Sequence, residues 1–436
     1  MSEAKRKPVV VGLLGCGTVG GGVVQLLVAD PVKVAARVGA PVELRRVLVR
    51  DASKPRVPEL DASLLTTDPD EVLSDPAIDL VIEVVGGEEA ALGYIERAID
   101  AGKSVVTANK LLLATRGESL LARARDKGVD LAFEGAVGGG IPIVRTLREA
   151  LASDRLEGIT GILNGTSNYV LTRMLDAGLS MDDAVAEAQD KGYAEADPTM
   201  DVGGGDAAQK LSILAMLGFG AAINYDELLI EGIGEIAPVD HRFAARFGYR
   251  IKHLVVGREH GDMVEMRIHP SLVPERSVLA NVDGVLNAVL LHGQALGPCL
   301  VYGPGAGDMP TAVSVVSDAL DVARSIVAGV AGLQTSSIRY APRPLFPMAD
   351  VEVRYYVRFT VKDEPGVMAR LAGSLGEQGV SIEQLVQDGR PEAGEPATVV
   401  MVTHLAKEGQ VQAALAALAK APFMAEPPRL LRIEDV

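Results

Sequence analysis

The chain has 436 residues, enough for roughly three domains. With 48% hydrophobic and 23% charged residues, it has the composition of a protein with real cores, which excludes disorder as its main state. A formal net charge of −16 repels phosphate backbones and anionic bilayers, and no local basic stripe offsets it. Nucleic acid and membranes are therefore excluded as partners. Cys16 and Cys299 are too few for a disulfide scaffold or a four-ligand zinc site. The six histidines stand apart, in no metal-ligand spacing. Met1 to Lys7 is basic but lacks the apolar stretch of a signal peptide, so a cytoplasmic, reducing location is expected. The apolar segment Leu211 to Ile223 is too short to span a bilayer and is broken by Ser212 and Gly218.

Residues 8–135 alternate between strand and helix patterns. Pro8 to Gly15 is a short apolar run, and Val19 to Val28 reads as a helix. Further strands are expected at Val42 to Val49, Leu80 to Val85, Ser104 to Thr107 and Asp130 to Phe133, with helices such as Glu88 to Asp100 and Leu111 to Lys127 between them. This alternation predicts an α/β, doubly wound parallel sheet of the Rossmann type. Residues 141–220 read as mainly helical, with one strand near Leu156 to Leu163. Between Ile251 and Tyr302 the pattern turns to strand-like pieces separated by glycines, an α+β arrangement when covered by the preceding helices. Pro310 to Ala328 reads as a long amphipathic helix. Beyond a proline-containing stretch, Tyr340 to Pro347, the order strand, helix, strand, strand, helix, strand predicts a ferredoxin-like βαββαβ module of about 80 residues.

Five constellations carry chemistry. Gly15-Cys16-Gly17-Thr18-Val19-Gly20 follows a buried-strand pattern and opens a helix, the context a dinucleotide fingerprint requires. Gly15 permits the turn, Gly17 lets the backbone approach a pyrophosphate, and Gly20 allows close helix–strand packing. The second strand ends in Arg50 and Asp51, with Lys54 and Arg56 close behind. Arginine there suits the 2′-phosphate of NADP, which is favoured over NAD; a solvated charged loop is the plain alternative. Asp206 and Lys210 are i and i+4 on one helix, and the sequence beyond Lys210 is apolar enough to bury them, which speaks against a surface ion pair. Glu195, Asp197 and Asp201 gather in the loop before them, and carboxylates beside a lysine suit a zwitterionic substrate that must exchange a proton. Ala108-Asn109-Lys110 stands at the carboxyl end of a parallel strand, where open α/β sheets bind ligands. Glu134 precedes the turn-rich Val137 to Pro142, which can turn carbonyls onto a cation or simply act as a hinge.

On these motifs the chain resembles a homoserine dehydrogenase of the monofunctional bacterial type. The likeness is carried by GYAEADPTMDVGGGDAAQK (Gly192 to Lys210), TANK (Thr107 to Lys110), NGTSNY (Asn164 to Tyr169) and GPGAGDMPTA (Gly303 to Ala312). It implies interconversion of L-homoserine and L-aspartate 4-semialdehyde with NADP or NAD, in threonine, methionine and isoleucine biosynthesis. It further implies a dinucleotide-binding domain (1–140, completed by the helix at 310–330), a substrate-binding and dimerisation domain (141–309), a linker (331–350) and an ACT regulatory domain (351–436). By the same resemblance Lys210 is the acid/base and Lys110 assists at substrate and cofactor. Glu195 and Asp206 hold the substrate amino group. Gly15, Gly17, Thr18, Val19, Gly20, Gly192 and Gly307 contact the cofactor, with Arg50 at its phosphate. Glu134, with the carbonyls of Val137, Gly139 and Ile141, matches a Na+ site. L-threonine is the expected effector, and a homodimer or homotetramer the expected assembly. The ACT module is expected to be separable, its removal before Val351 leaving activity but no threonine response.

Two rivals remain on the sequence. A phosphorylating semialdehyde dehydrogenase needs a cysteine nucleophile, which neither Cys16, in the phosphate loop, nor Cys299, in an apolar stretch, provides. A non-enzymatic sensor of nucleotide and amino acid would have no need of Lys110, Glu195, Asp206 and Lys210 together.

Overall fold

A computed structural model describes residues 6–388 and 396–436. The chain forms two compact units, one made of Met1–Gly158, Asp206–Glu227 and Leu286–Arg343, the other of Ile159–Gly205, Leu228–Val285 and Pro344–Val436.

In the first unit six strands form one parallel sheet. Their spatial order is Leu65–Thr66, Val42–Leu48, Val9–Leu14, Leu80–Glu83, Ser104–Thr107, Leu131–Ala132. This is the doubly wound order 3-2-1-4-5-6, whose ligand crevice opens at the carboxyl ends of strands one and four, where the winding reverses. The strand Val9–Leu14 is buried along its whole length, as a central parallel strand covered on both faces must be. Only the two-residue strand Leu65–Thr66 gives no readable pattern in the sequence. The helix Thr18–Val28 covers one face, and the helix Asp308–Ala328 packs across it so closely that a Cβ on Gly22 would stand 2.8 Å from that of Ala312. A residue nearly three hundred positions downstream thus completes the nucleotide-side core.

In the second unit the strands Tyr249–His260, Met263–Pro274, Arg429–Ile433, Glu352–Lys362, Pro396–Thr403 and Ile382–Asp388 lie side by side in that order. The last four are the 4-1-3-2 order of a ferredoxin-like βαββαβ module. Along Glu352–Lys362 the two-residue period of a strand sorts the side chains. Tyr355, Val357 and Phe359 enter the core beneath the helices Val367–Glu377 and Glu408–Leu418. Tyr356 faces the opposite way, into a core built by Val170, Ala188 and Phe243 of three other helices.

The strand Arg429–Ile433 joins the C-terminal module to the strand Met263–Pro274 that precedes it in the sheet. It pairs antiparallel with Glu352–Lys362 and parallel with Met263–Pro274, Ser271 opposite Arg432 and Leu272 opposite Ile433. Buried charges reinforce the junction. Arg432 donates to both oxygens of Glu408 at 2.9 and 2.7 Å, and to both of Glu231 at 2.7 and 3.1 Å. Arg267 pairs with Glu265 at 2.7 Å and with Glu434. Removing the module would strip the sheet of a partner strand and leave Glu231 and Arg267 short of theirs.

Among the described residues no single helix is long and apolar enough to cross a membrane.

Candidate active site

Lys110 is the first residue of the helix Lys110–Lys127, which starts directly after the strand Ser104–Thr107. Asn109 caps that helix, its Oδ1 accepting the Leu112 N–H at 3.2 Å while its Nδ2 donates to the Gly87 carbonyl at 2.6 Å. Behind it, the Thr107 hydroxyl accepts the Asn109 N–H at 3.0 Å and donates to Glu83 Oε2 at 2.7 Å. The other Glu83 oxygen accepts the Val85 N–H at 2.8 Å. Glu83 is fully buried, and burial pushes its carboxyl up from the ordinary value against the pull of these hydrogen bonds. A buried acid thus fixes the carboxyl ends of strands four and five and aims Lys110. The sequence reading missed it, although a lone acid closing the apolar run Leu80-Val81-Ile82 was a visible signal.

Asp206 and Lys210 sit one turn apart on the helix Gly205–Gly218, both under 10% exposed. Lys210 Nζ donates to Asp206 Oδ2 at 2.6 Å, and Lys110 Nζ stands 3.2 Å from Asp206 Oδ1. One buried carboxylate therefore holds two ammonium groups, each on its own oxygen, as the cost of burying charge demands. Tyr225 faces the same cluster. Burial first, and then the negative charge of Asp206, push its phenol above the ordinary value. Tyr225 is a second neighbour that sequence reasoning did not single out.

The cofactor loop stands in the same unit. Gly15 has φ 95°, and a Cβ there would lie 2.7 Å from the Val84 carbonyl, so only glycine lets the first and fourth strand ends meet. A Cβ on Gly20 would collide with the Gly15 carbonyl. Gly17 caps the helix Thr18–Val28 with no side-chain hydrogen bond, which leaves backbone donors at its start for an anion. Arg50 is exposed and makes no hydrogen bond or ion pair among the described residues. Gly307, at φ 119°, caps the helix Asp308–Ala328, and its loop is pressed against the 137–141 turn: a Cβ on Gly139 would lie 2.5 Å from the Gly305 carbonyl.

Glu134 is buried beside the start of the helical turn Ile143–Arg145. Its two carboxylate oxygens accept the N–H groups of Val144 and Arg145 at 2.9 and 2.8 Å, so the side chain starts a helical turn. The Gly139 carbonyl accepts the Ser314 hydroxyl at 2.7 Å, and the Ile141 carbonyl accepts the Ile143 N–H at 2.8 Å. The two Glu134 carboxylate oxygens thus each accept one backbone N–H, and the carbonyls of Gly139 and Ile141 each accept one hydrogen bond as well. Among the described residues no group of three or more His, Cys, Asp or Glu side chains is arranged to hold a metal ion.

Glu195 and Gly192 belong to the second unit, in the turn that follows the helix Met181–Asp190. Glu195 is exposed, and its backbone carbonyl accepts from Gln189 at 3.1 Å. The same loop is anchored further on, where Asp201 accepts from Asn164 at 2.7 Å and Thr166 donates to the Tyr193 carbonyl at 2.7 Å. A cavity of about 1060 Å³ in this unit is lined by residues such as Val185, Val202, Glu231, Leu415 and Arg429 and includes none of the expected site residues.

Comparison with known proteins shows the family. Residues 15–134 match the NAD-binding domain of homoserine dehydrogenase, residues 142–320 homoserine dehydrogenase itself, and residues 355–423 the ACT domain. The homoserine dehydrogenase of Pseudomonas aeruginosa is 42% identical over 99% of this chain and 100% of its own length. A crystal structure of the enzyme from Thiobacillus denitrificans superposes with a TM-score of 0.92 at 42% identity, covering 98% of this chain and 99% of that one. A hyperthermophilic archaeal homoserine dehydrogenase in complex with NADPH shares the fold at 23% identity and a TM-score of 0.61, over 72% of this chain and 98% of its own. The chain belongs to the homoserine dehydrogenase family, oxidoreductases that act on a CH–OH group.

Proposed function

We propose that Lys210 is the acid/base of the interconversion of L-homoserine and L-aspartate 4-semialdehyde, with Lys110 and Asp206 as its partners. The observation that carries this is the shared Asp206 carboxylate, which places both lysines at the carboxyl end of a parallel sheet. The bound nicotinamide supplies the hydride acceptor or donor at C4 of the substrate. Lys210, as the neutral amine, takes the hydroxyl proton when the alcohol is oxidised and, as the ammonium, returns it in the reverse direction. Lys110 donates a hydrogen bond to the same oxygen, and Asp206 keeps both lysine side chains oriented while accepting from the substrate amino group. Glu195 provides a second carboxylate for that amino group. Gly15, Gly17, Thr18, Val19 and Gly20 hold the pyrophosphate on backbone donors, with Gly192 and Gly307 lining the cofactor.

NADP is the working cofactor on this reading, with the exposed Arg50 reaching the 2′-phosphate as a charge-assisted fork. The enzyme works in the cytoplasm, in threonine, methionine and isoleucine biosynthesis, as a homodimer or homotetramer. L-threonine acts as effector at the ACT module, where Gly366, at φ 90°, opens the helix Val367–Glu377 after the Asp363-Glu364-Pro365 turn. The test is NADPH formation from L-homoserine at alkaline pH, with Lys210→Ala beside the wild type. Turnover of the variant near the wild-type rate overturns the assignment of Lys210. Calorimetry with L-threonine tests the effector separately.

A further inference from the structure

Arg56 lies on the loop that leaves the second parallel strand, and its side chain reaches back toward the first. Its Nη1 donates to the Cys16 carbonyl at 2.7 Å and its Nη2 to the Asp51 carbonyl at 3.0 Å. Cys16 belongs to the glycine turn, and Asp51 to the strand end at which this fold reads the ribose. One planar fork thus ties the two cofactor loops together. The rest of the loop is built to hold it there. Asp51 accepts both the N–H and the hydroxyl of Ser53, at 2.9 and 2.6 Å, closing an Asx turn. Val57 lies so close to the first helix that a Cβ on Gly21 would stand 3.0 Å from it, and Gln25 reaches Glu59 at 3.4 Å.

Both anchors of Arg56 are neutral carbonyls, where a structural arginine would ordinarily seek a carboxylate. Its Nε is buried without a hydrogen-bond partner among the described residues, and its charge acts on the Asp51 carboxylate of the same loop, which the Ser53 hydrogen bonds chiefly, and Arg56 in smaller part, hold below the usual range. Peptide geometry gives this consequence. The Cys16–Gly17 unit is planar and trans, so its C=O and N–H point in opposite directions. A carbonyl pinned on Arg56 therefore aims the Gly17 N–H to the far side. Gly17 has no side-chain cap, and a Cβ there would meet nothing within 4 Å, so no neighbouring side chain sets that peptide from its own side.

We propose that Arg56 is a cofactor-positioning residue: it presets the Cys16–Gly17 peptide so that the Gly17 N–H is aimed at the pyrophosphate, and does so independently of the 2′-substituent that Arg50 is proposed to read. The inference rests on the assignment of Gly15 to Gly20 to the dinucleotide.

The experiment measures dissociation constants by calorimetry for ADP-ribose and 2′-phospho-ADP-ribose, with unfolding temperature and kcat at saturating cofactor as companions. Wild type, Arg56→Gln, Arg56→Lys and Arg50→Ala are compared. Arg56→Gln should weaken both ligands by about tenfold and equally, while kcat at saturation and the unfolding temperature stay near wild type. Arg56→Lys keeps the charge but a single ammonium cannot span both carbonyls, so it should bind both ligands as weakly as Arg56→Gln. Wild-type affinity in Arg56→Gln, a loss confined to the 2′-phosphorylated ligand, or full affinity in Arg56→Lys each overturns the proposal. If Arg56→Gln does not fold, Arg56→Lys carries the same comparison. The NADP reading fails separately, if wild type binds the two ligands equally or Arg50→Ala leaves their ratio unchanged; neither result touches Arg56.

Discussion

Lys110 and Lys210 share the carboxylate of Asp206, at 3.2 Å from one oxygen and 2.6 Å from the other. Lys210 and Asp206 belong to one helix, whereas Lys110 is brought to them from the end of a distant strand. Neutralising the carboxylate while keeping its shape should release both lysines from their common anchor. Asp206→Asn is expected to lower kcat by about 10²-fold or more and to raise KM for homoserine, with dinucleotide affinity kept within a few-fold. Steady-state kinetics alongside a binding titration checks this, and an unchanged kcat would show that the shared carboxylate does not serve catalysis.

Glu195 differs in that its proposed task is binding alone. Glu195→Gln should raise KM for homoserine about tenfold and leave kcat within a few-fold, the signature of lost uniform binding. A fall in kcat at unchanged KM would move Glu195 from holding the amino group to acting in the transition state.

Asp318 should make stability depend on pH. Buried beside Glu134 and accepting its N–H at 2.7 Å, it has its carboxyl pushed up to about 7, chiefly by burial. The folded chain then holds a proton that the unfolded chain, with an ordinary carboxyl near 3.8, has released. Stability contributed by this group is therefore complete at low pH and declines as pH rises from about 4 to about 7. Glu134, also raised by burial, adds in the same direction. Asp318→Asn removes the titrating group and keeps an acceptor for the Glu134 N–H. Its unfolding temperature should fall less than that of wild type between pH 5 and pH 8. The same slope in both proteins would exclude Asp318 as its source.

Arg432 is 1% exposed and holds Glu408 and Glu231 together. Arg432→Met leaves two carboxylates without their cation and should cost about 3–5 kcal/mol in urea unfolding, the range for breaking a buried pair. Adding Glu408→Gln should return part of it, since the more deeply buried of the two acids is then neutral. Truncation before Val351 should give an unstable or aggregating chain, because the Met263–Pro274 edge loses its partner strand. A stable, active truncated enzyme would show that the shared sheet is not required for folding.

What the sequence by itself determined is the part governed by near neighbours. The glycine spacing at Gly15, Gly17 and Gly20 follows from backbone sterics within one turn. The shared face of Asp206 and Lys210 follows from the helical period, and the alternation of buried strands and helices announces the parallel sheet. The ferredoxin-like order was legible for the same reason. Tertiary structure alone decided what depends on residues far apart in the chain. The approach of Lys110 to Asp206 requires the sheet and a remote helix to be assembled first. Arg56 is one more charge in a charged loop until folding lays it against the Cys16 carbonyl. Nothing local to Glu134 announces that the N–H groups of Val144 and Arg145, ten and eleven residues on, reach its two carboxylate oxygens. The last strand entered between Glu352–Lys362 and Met263–Pro274 because both of its edges needed hydrogen bonds, and the pattern of apolar residues records that a strand is buried but not which neighbours bury it.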